Sequence, residues 1–145
     1  MGNQYRNDDG IGPFVARELK RRIDPAKSGV RITEASGEGA ALMEAWSNSE
    51  SVIIVDLTQA GRNPGEIIRI EAHKERIPSN FFHYSSHAFG VAEAVELSRE
   101  LHTLPSRLIV YAIQGKNCNA GEELSPEVLR AGHVVIEKIL REIEE

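Results

Sequence analysis

Ser51-Val52-Ile53-Ile54-Val55-Asp56 is the stretch of sequence that decides the fold. Its apolar residues follow one another without alternation and all of them are β-branched, which favours a strand. A strand that is apolar on both faces is typical of a parallel sheet covered by helices on both sides. The stretch therefore predicts an α/β protein, with the carboxylate of Asp56 at the carboxyl end of a buried strand.

Helical and strand patterns alternate along the rest of the chain. The predicted elements are a helix over 11–23, a strand over 30–34, a helix over 38–46, the strand over 51–56, a strand over 66–71, a helix over 87–102, a strand over 107–113 and a helix from 126 to the C-terminus. Because no helix separates 51–56 from 66–71, we expect the second of these strands to run antiparallel at a sheet edge. The pattern predicts a three-layer sandwich, with a mostly parallel twisted sheet flanked by helices.

Length and composition limit the class of protein. The chain has 145 residues, of which 41% are hydrophobic and 27% charged, and this predicts a single globular domain over residues 1–145. A net charge of −5 argues against a nucleic-acid-binding basic face, and no apolar run is long enough to span a membrane. The single cysteine, Cys118, excludes an internal disulfide and a cysteine-based zinc site. We expect a cytoplasmic monomer that binds neither nucleic acid nor membrane.

The first ten residues have the composition of a loop that joins a strand to a helix. The stretch from Gly2 to Gly10 presents two carboxylates, Asp8 and Asp9, just before the first predicted helix. A helix N-terminus has a partial positive charge that keeps a nearby carboxylate ionised, so this pair either binds a cation or only caps the helix. Such a loop normally follows a buried strand, yet only Met1 precedes it. We therefore expect that the first strand of the domain is missing from this chain.

Three polar residues occupy equivalent places in the predicted topology. Asp9 follows the expected first strand, Asp56 ends the buried strand, and His87 opens the long helix. Ligands of α/β proteins bind at the carboxyl edge of the sheet, so these side chains are expected to converge there. In the first turn of a helix His87 would stay neutral, because the dipole disfavours imidazolium. Two carboxylates and one neutral imidazole suit a divalent ion such as nickel, zinc or manganese, with positions left open for a substrate.

Other histidines, the cysteine and an aromatic segment are weaker candidates. For the histidines we expect surface or packing roles; they are His73, His83, His102 and His133. Cys118 has no evident triad partner and is expected to be an inert thiol. The segment Phe81-Phe82-His83-Tyr84 either docks a partner or buries its aromatic rings in the core.

Several motifs together resemble one known family. Gly2-Asn3 followed by Asp8-Asp9-Gly10-Ile11-Gly12 resembles the G-N-x(4)-D-[DE]-G-x-G opening of the nickel–iron hydrogenase maturation endopeptidases. The motifs that match later parts of that family, in the same order, are Ile54-Val55-Asp56, Pro64-Gly65, Ser85-Ser86-His87-Ala88-Phe89-Gly90, Gly115-Lys116-Asn117 and Leu124-Ser125-Pro126-Glu127-Val128. The likeness covers nearly the whole chain, and the combination is more specific than any single motif.

This resemblance implies an endopeptidase that removes the C-terminal extension of a nickel–iron hydrogenase large-subunit precursor after nickel has been inserted. It implies that Asp9, Asp56 and His87 bind the nickel carried by the substrate, for which another divalent ion could substitute. The family is often grouped with aspartic-type peptidases, so Asp9 and Asp56 are also the candidate catalytic residues, with the identity of the nucleophile and base left open. The chain departs from the family in lacking the opening strand and in having Asp9 where some relatives have Glu.

Two other functions fit part of the pattern. A phosphoacceptor receiver domain has an acidic pocket, a hydroxyl and a lysine, which here would be Asp8-Asp9, Asp56, Ser85 or Ser86, and Lys116. Against this function, a strand rather than a helix follows the loop after Asp56, and no proline follows Lys116. A nickel-binding chaperone without peptidase activity would use the same ligands and would leave the precursor uncut.

Overall fold

The structure, a computed structural model, describes residues 1–2, 7–78, 81–82, 89–116 and 123–144. The regular elements of these residues are a 3-10 turn at Asn7–Gly10, α1 (Ile11–Arg22), α2 (Pro25–Ser28), α3 (Gly39–Trp46), β1 (Ser51–Thr58), β2 (Ile67–Glu71), α4 (Val91–Glu100), β3 (Arg107–Gln114) and α5 (Pro126–Glu144). Among the described helices, none has both the length and the apolar character that crossing a membrane requires.

The three described strands form one mixed sheet in the order β1-β3-β2. β1 runs parallel to β3, with Ser51 opposite Arg107 at the start of the pairing. β2 runs antiparallel to β3, with Ile67 opposite Ile113. One of the two described pairings is therefore parallel. The α/β class and the antiparallel edge strand are both confirmed.

Helices cover both faces of this sheet, as a three-layer sandwich requires. Alternate residues of β3 point to opposite sides: Ile109 and Tyr111 belong to the core under α1 and α5, and Leu108 and Val110 belong to the core under α3 and α4. From Leu108 to Gln114 every residue of β3 is buried. Since burial of one aliphatic side chain contributes roughly 1.5–3 kcal/mol, the central strand is a main source of stability.

The structure corrects two predictions made for residues 24–34. Residues 30–34, all of them described, have no regular structure, although their alternating pattern predicts a strand. The side chain of Glu34 instead forms ion pairs with Arg17 and Lys20 of α1. Residues 24–29, for which the pattern predicts no helix or strand, contain the short helix α2, because the Asp24 side chain accepts a hydrogen bond from Ala26 N at 3.0 Å and caps it.

The long helix predicted over 87–102 is shorter than expected. α4 begins at Val91 and ends at Glu100. Gly90 has an extended backbone, and its N–H donates to Glu93 Oε1 at 2.8 Å, which fixes the start of the helix. His87 therefore precedes α4 in the sequence and is not in its first turn.

Phe81 and Phe82 are part of the core under α3 and α4. Their rings form an edge-to-face pair with centroids 6.2 Å apart. The segment was predicted either to dock a partner or to bury its aromatic rings, and burial is confirmed for Phe81 and Phe82. His83 and Tyr84 lie outside the described residues. His73 Nδ1 lies 3.1 Å from Leu108 N, as expected for a histidine with a packing role.

Candidate active site at the carboxyl edge of the sheet

Asp56 lies near the carboxyl end of β1, opposite Ala112 of the parallel strand β3. Its side chain is on the same face of β1 as Ile54, which belongs to the core under α3 and α4. Only 7% of the residue is exposed, and one carboxylate oxygen, Oδ1, accepts a hydrogen bond from Leu57 N at 2.9 Å. The strand therefore holds an acid in a largely dry position at the carboxyl edge.

The electrostatics of this position make Asp56 an unusual carboxyl group. Burial raises the pKa of Asp56 from 3.8 to about 6. The α-ammonium of Met1 and the hydrogen bond from Leu57 N oppose the increase, while the negative charge of Asp9 adds to it. The charge of Asp9 thus acts on Asp56, although burial is the larger cause of the shift in pKa.

Asp9 comes to the same place from the 3-10 turn Asn7–Gly10, which contacts β1. Gly2 lies directly against it: a Cβ atom on Gly2 would be 3.0 Å from Asp9 Oδ1 and 2.1 Å from Asp9 O. The φ angle of Gly2 is +128°, which side chains rarely adopt, so this position requires glycine. The Met1 amino group donates to Val55 O at 2.5 Å, and its charge interacts with both Asp9 and Asp56.

Asp8, the neighbour of Asp9, has a different role. It is fully buried, and its carboxylate accepts hydrogen bonds from Lys116 N, Ser125 N and Ser125 Oγ at 2.7, 2.7 and 2.8 Å. The N-cap position of α1 is occupied by Gly10 and not by either aspartate. Asp8 therefore does more than cap the helix, and the charge of Asp9 acts on Asp56.

Gln114, at the end of β3, organises the loop after β1 and was not among the residues selected from the sequence. Its Oε1 accepts from Ala60 N at 3.0 Å and from Arg62 N at 3.2 Å. Its Nε2 donates to Gln59 Oε1 at 2.9 Å and to Gly115 O at 3.0 Å. The available signal was a polar residue at the end of an apolar strand, the same signal that selects Asp56.

His87, the third predicted ligand, lies outside the described residues, as does Cys118. The described residues on either side of the His87 segment are both held on the α3–α4 face of the sheet. Thr58 Oγ1 donates to Phe81 O at 2.7 Å, and Gly39 N donates to Phe89 O at 2.8 Å. This is the face on which the Asp56 side chain lies.

The residues that the structure describes contain no cluster of three or more histidine, cysteine or acidic side chains suited to hold a metal ion. Because His87 is not among them, the metal site of Asp9, Asp56 and His87 stays a prediction. The two described members provide carboxylate oxygens, which are hard ligands for divalent ions. Two carboxylates with one pKa near neutrality can also hold and transfer a proton.

The sequence matches the model of one protein family, described as hydrogenase maturation protease, over residues 13–142. It is also similar to the protein FrxA of Pyrococcus furiosus, with 30% identity over 142 residues. That alignment covers 95% of this chain and 97% of FrxA.

Solved structures with the same fold include two from Escherichia coli. The solution structure of an endopeptidase has a TM-score of 0.82 at 23% identity, with 97% of this chain and 86% of that chain covered. The hydrogenase maturating endopeptidase HybD has a TM-score of 0.79 at 20% identity, with 99% and 88% covered. At this level of identity the two structures support the fold of the chain.

Proposed function

Because the chain belongs to the hydrogenase maturation protease family, we propose that it is the endopeptidase that removes the C-terminal extension of a nickel–iron hydrogenase large-subunit precursor. The observation that carries the proposal is the buried carboxyl group of Asp56 near the carboxyl end of β1, a strand that also contacts the 3-10 turn bearing Asp9. The partner is the precursor protein, and we propose that the enzyme acts on it as a cytoplasmic monomer.

We propose that nickel is recognised as part of the substrate, with Asp9, Asp56 and His87 as its ligands. Support comes from the negative charges of Asp9 and Asp56, the two proposed ligands that the structure describes. Burial and the nearby charge of Asp9 disfavour ionised Asp56, so a divalent cation between the two carboxylates would relieve both effects. A precursor without nickel would not supply that cation and would bind less well. Recognition of the metal thus explains how cleavage could wait until nickel has been inserted.

The same two carboxylates can support hydrolysis of the peptide bond once the metal has positioned it. A water oxygen attacks the scissile carbonyl carbon, and a carboxylate of the pair accepts the proton that the water loses. The carbon–nitrogen bond then breaks, and the proton is delivered to the departing amine. An aspartic-type assignment of the peptidase follows from this scheme.

The fold argues against the receiver-domain alternative. After β1 and its loop the chain continues into β2, which pairs antiparallel with β3. A helix followed by another parallel strand would be needed at this place in a receiver domain. The chaperone alternative shares the proposed ligands and differs only in whether the precursor is shortened.

The test is a processing assay with nickel-loaded and nickel-free precursor, read out by intact mass. We expect the enzyme to shorten only the loaded precursor, and Asp9→Asn to slow this reaction by about 100-fold or more, because the metal loses a charged ligand. Asp24→Asn is the matched control: Asp24 caps α2, and asparagine caps a helix equally well, so processing should be unchanged. Processing by Asp9→Asn at the normal rate would refute the assignment. Binding of the loaded precursor without shortening would indicate a chaperone.

A further inference from the structure

The carboxylate of Asp8 joins three parts of the fold. Its Oδ1 accepts from Ser125 N at 2.7 Å, and its Oδ2 accepts from Lys116 N at 2.7 Å and Ser125 Oγ at 2.8 Å. Lys116 is two residues beyond the end of β3, and Ser125 directly precedes α5. One side chain of the 3-10 turn therefore binds the residues that leave the sheet and those that enter the last helix.

Asp8 and Asp9 are adjacent in a turn of only four residues. Successive residues of a 3-10 helix point about 120° apart, so the two carboxylates leave the turn in different directions. Asp8 is directed to Lys116 and Ser125, while Asp9 acts on Asp56. Because the backbone between them is so short, fixing the Asp8 carboxylate also fixes the position from which Asp9 reaches the site.

We propose that Asp8 is a positioning residue, which holds Asp9 in place for substrate recognition by fastening the 3-10 turn to Lys116 and Ser125. This inference rests on the proposed function, since it assumes that Asp9 contacts the metal of the precursor. Asp8 is fully buried, and its effect on the substrate is exerted through Asp9.

The role requires a carboxylate and not merely a side chain of this shape. Each of its two oxygens faces a backbone N–H group, and both N–H groups need an acceptor. An amide at this position offers one acceptor oxygen and one NH₂ donor. In Asp8→Asn the NH₂ group would face either Lys116 N or Ser125 N, and a buried donor that loses its acceptor is destabilising. The turn is expected to move to relieve this clash, and Asp9 would move with it.

The experiment measures kcat and KM for the nickel-loaded precursor, with each variant shown by circular dichroism to be folded at the assay temperature. We expect Asp8→Asn to raise KM tenfold or more, because displaced Asp9 no longer meets the metal. Ser125→Ala removes one of the three donors and keeps every charge, so it should raise KM two- to threefold. Tyr111→Phe is the control for lost stability alone: it removes the hydrogen bond from Tyr111 Oη to Glu142 Oε2 at 2.6 Å, near the far end of α5. Its melting temperature should fall and its KM should stay unchanged.

The outcomes separate this inference from the proposed function. If Asp9→Asn loses processing while Asp8→Asn has the KM of the unmodified enzyme, the inference is overturned and the proposed function stands. If Tyr111→Phe raises KM as much as Asp8→Asn, loss of stability explains the effect and the inference is overturned as well. If the unmodified enzyme leaves the loaded precursor uncut, both fail. Should Asp8→Asn not fold, Ser125→Ala decides, and a normal KM in that variant overturns the inference.

Discussion

Asp56→Asn is expected to abolish processing of the precursor and at the same time to stabilise the folded protein. Both effects have one cause, the burial of an ionisable group at the carboxyl edge of β1. Asparagine resembles the neutral acid that the buried position favours, but it lacks the charge that a metal ligand or a base needs. Loss of function combined with a gain in stability is the pattern expected of a residue kept for chemistry rather than for folding.

The stability gain depends on pH in a defined way. Raising the pKa of a carboxyl from 3.8 in the unfolded chain to about 6 in the folded protein corresponds to about 3 kcal/mol at full ionisation. The folded state binds this proton more tightly than the unfolded chain does. The contribution of Asp56 to the free energy of unfolding is therefore fully present below pH 3.8 and is lost as the pH rises through about 6. The free energy of unfolding of Asp56→Asn should therefore equal that of the unmodified protein near pH 3.8 and be larger by up to about 3 kcal/mol at pH 7.

Chemical denaturation of both proteins across this pH range tests the prediction. Comparison of the two proteins at each pH cancels the ionisable groups that do not interact with Asp56, provided that the slope with denaturant is the same. Asp24→Asn, an exposed aspartate that caps α2, should show no such dependence on pH. A stability difference for Asp56→Asn that is absent at pH 7, or that has the opposite sign, would contradict the burial argument.

Gly39→Val is expected to lower the free energy of unfolding by about 3 kcal/mol and to reduce processing as well. A Cβ atom on Gly39 would lie 2.2 Å from Phe89 Cδ1 and 2.9 Å from Phe89 O, so Phe89 must move. That movement would also weaken the hydrogen bond from Gly39 N to Phe89 O. Since Phe89 follows the segment that carries His87, damage to this contact is expected to reach the proposed metal ligand.

Ala40→Val provides the matched control for this substitution. Ala40 is the next residue of the same helical turn, is exposed, and receives the same β-branched side chain. Valine lowers helix propensity relative to alanine but not relative to glycine, so any cost of propensity falls on the control and not on Gly39→Val. Denaturation and precursor processing should both be close to normal in Ala40→Val. Equal loss of stability in the two variants would show that the β-branched side chain, and not the contact with Phe89, is responsible.

Much of the fold could be predicted because its central strands are continuous apolar runs. The runs in β1 and β3 indicate strands buried on both faces, and the absence of a helix between β1 and β2 indicates an antiparallel edge strand. The strand expected at 30–34 failed because alternation is a local signal, whereas a strand needs a partner to pair with. The start of α4 was misplaced because Gly90 and Glu93 fix it, and a capping contact that begins at a glycine has a weak signature in the sequence.

Part of the site was predictable because the apolar runs also show where the strands end. Asp9 and Asp56 could be paired from topology, because Asp56 lies near the end of a buried strand and Asp9 was expected to follow another strand that ends at the same edge. The separate roles of Asp8 and Asp9 could not be read from the sequence, since adjacent acids look alike until the donors around each are known. Those donors come from Lys116 and Ser125, more than a hundred residues away along the chain. Long-range contacts of this kind leave no local pattern.

The most direct test is a crystal structure of the protein with nickel, with anomalous scattering data measured at the nickel absorption edge. We predict one strong anomalous peak at the carboxyl edge of the sheet, with an oxygen of Asp9, an oxygen of Asp56 and a ring nitrogen of His87 each at roughly 2.0–2.2 Å from it. A nickel peak elsewhere, or carboxylates of Asp9 and Asp56 that point away from a common ion, would contradict the proposed site.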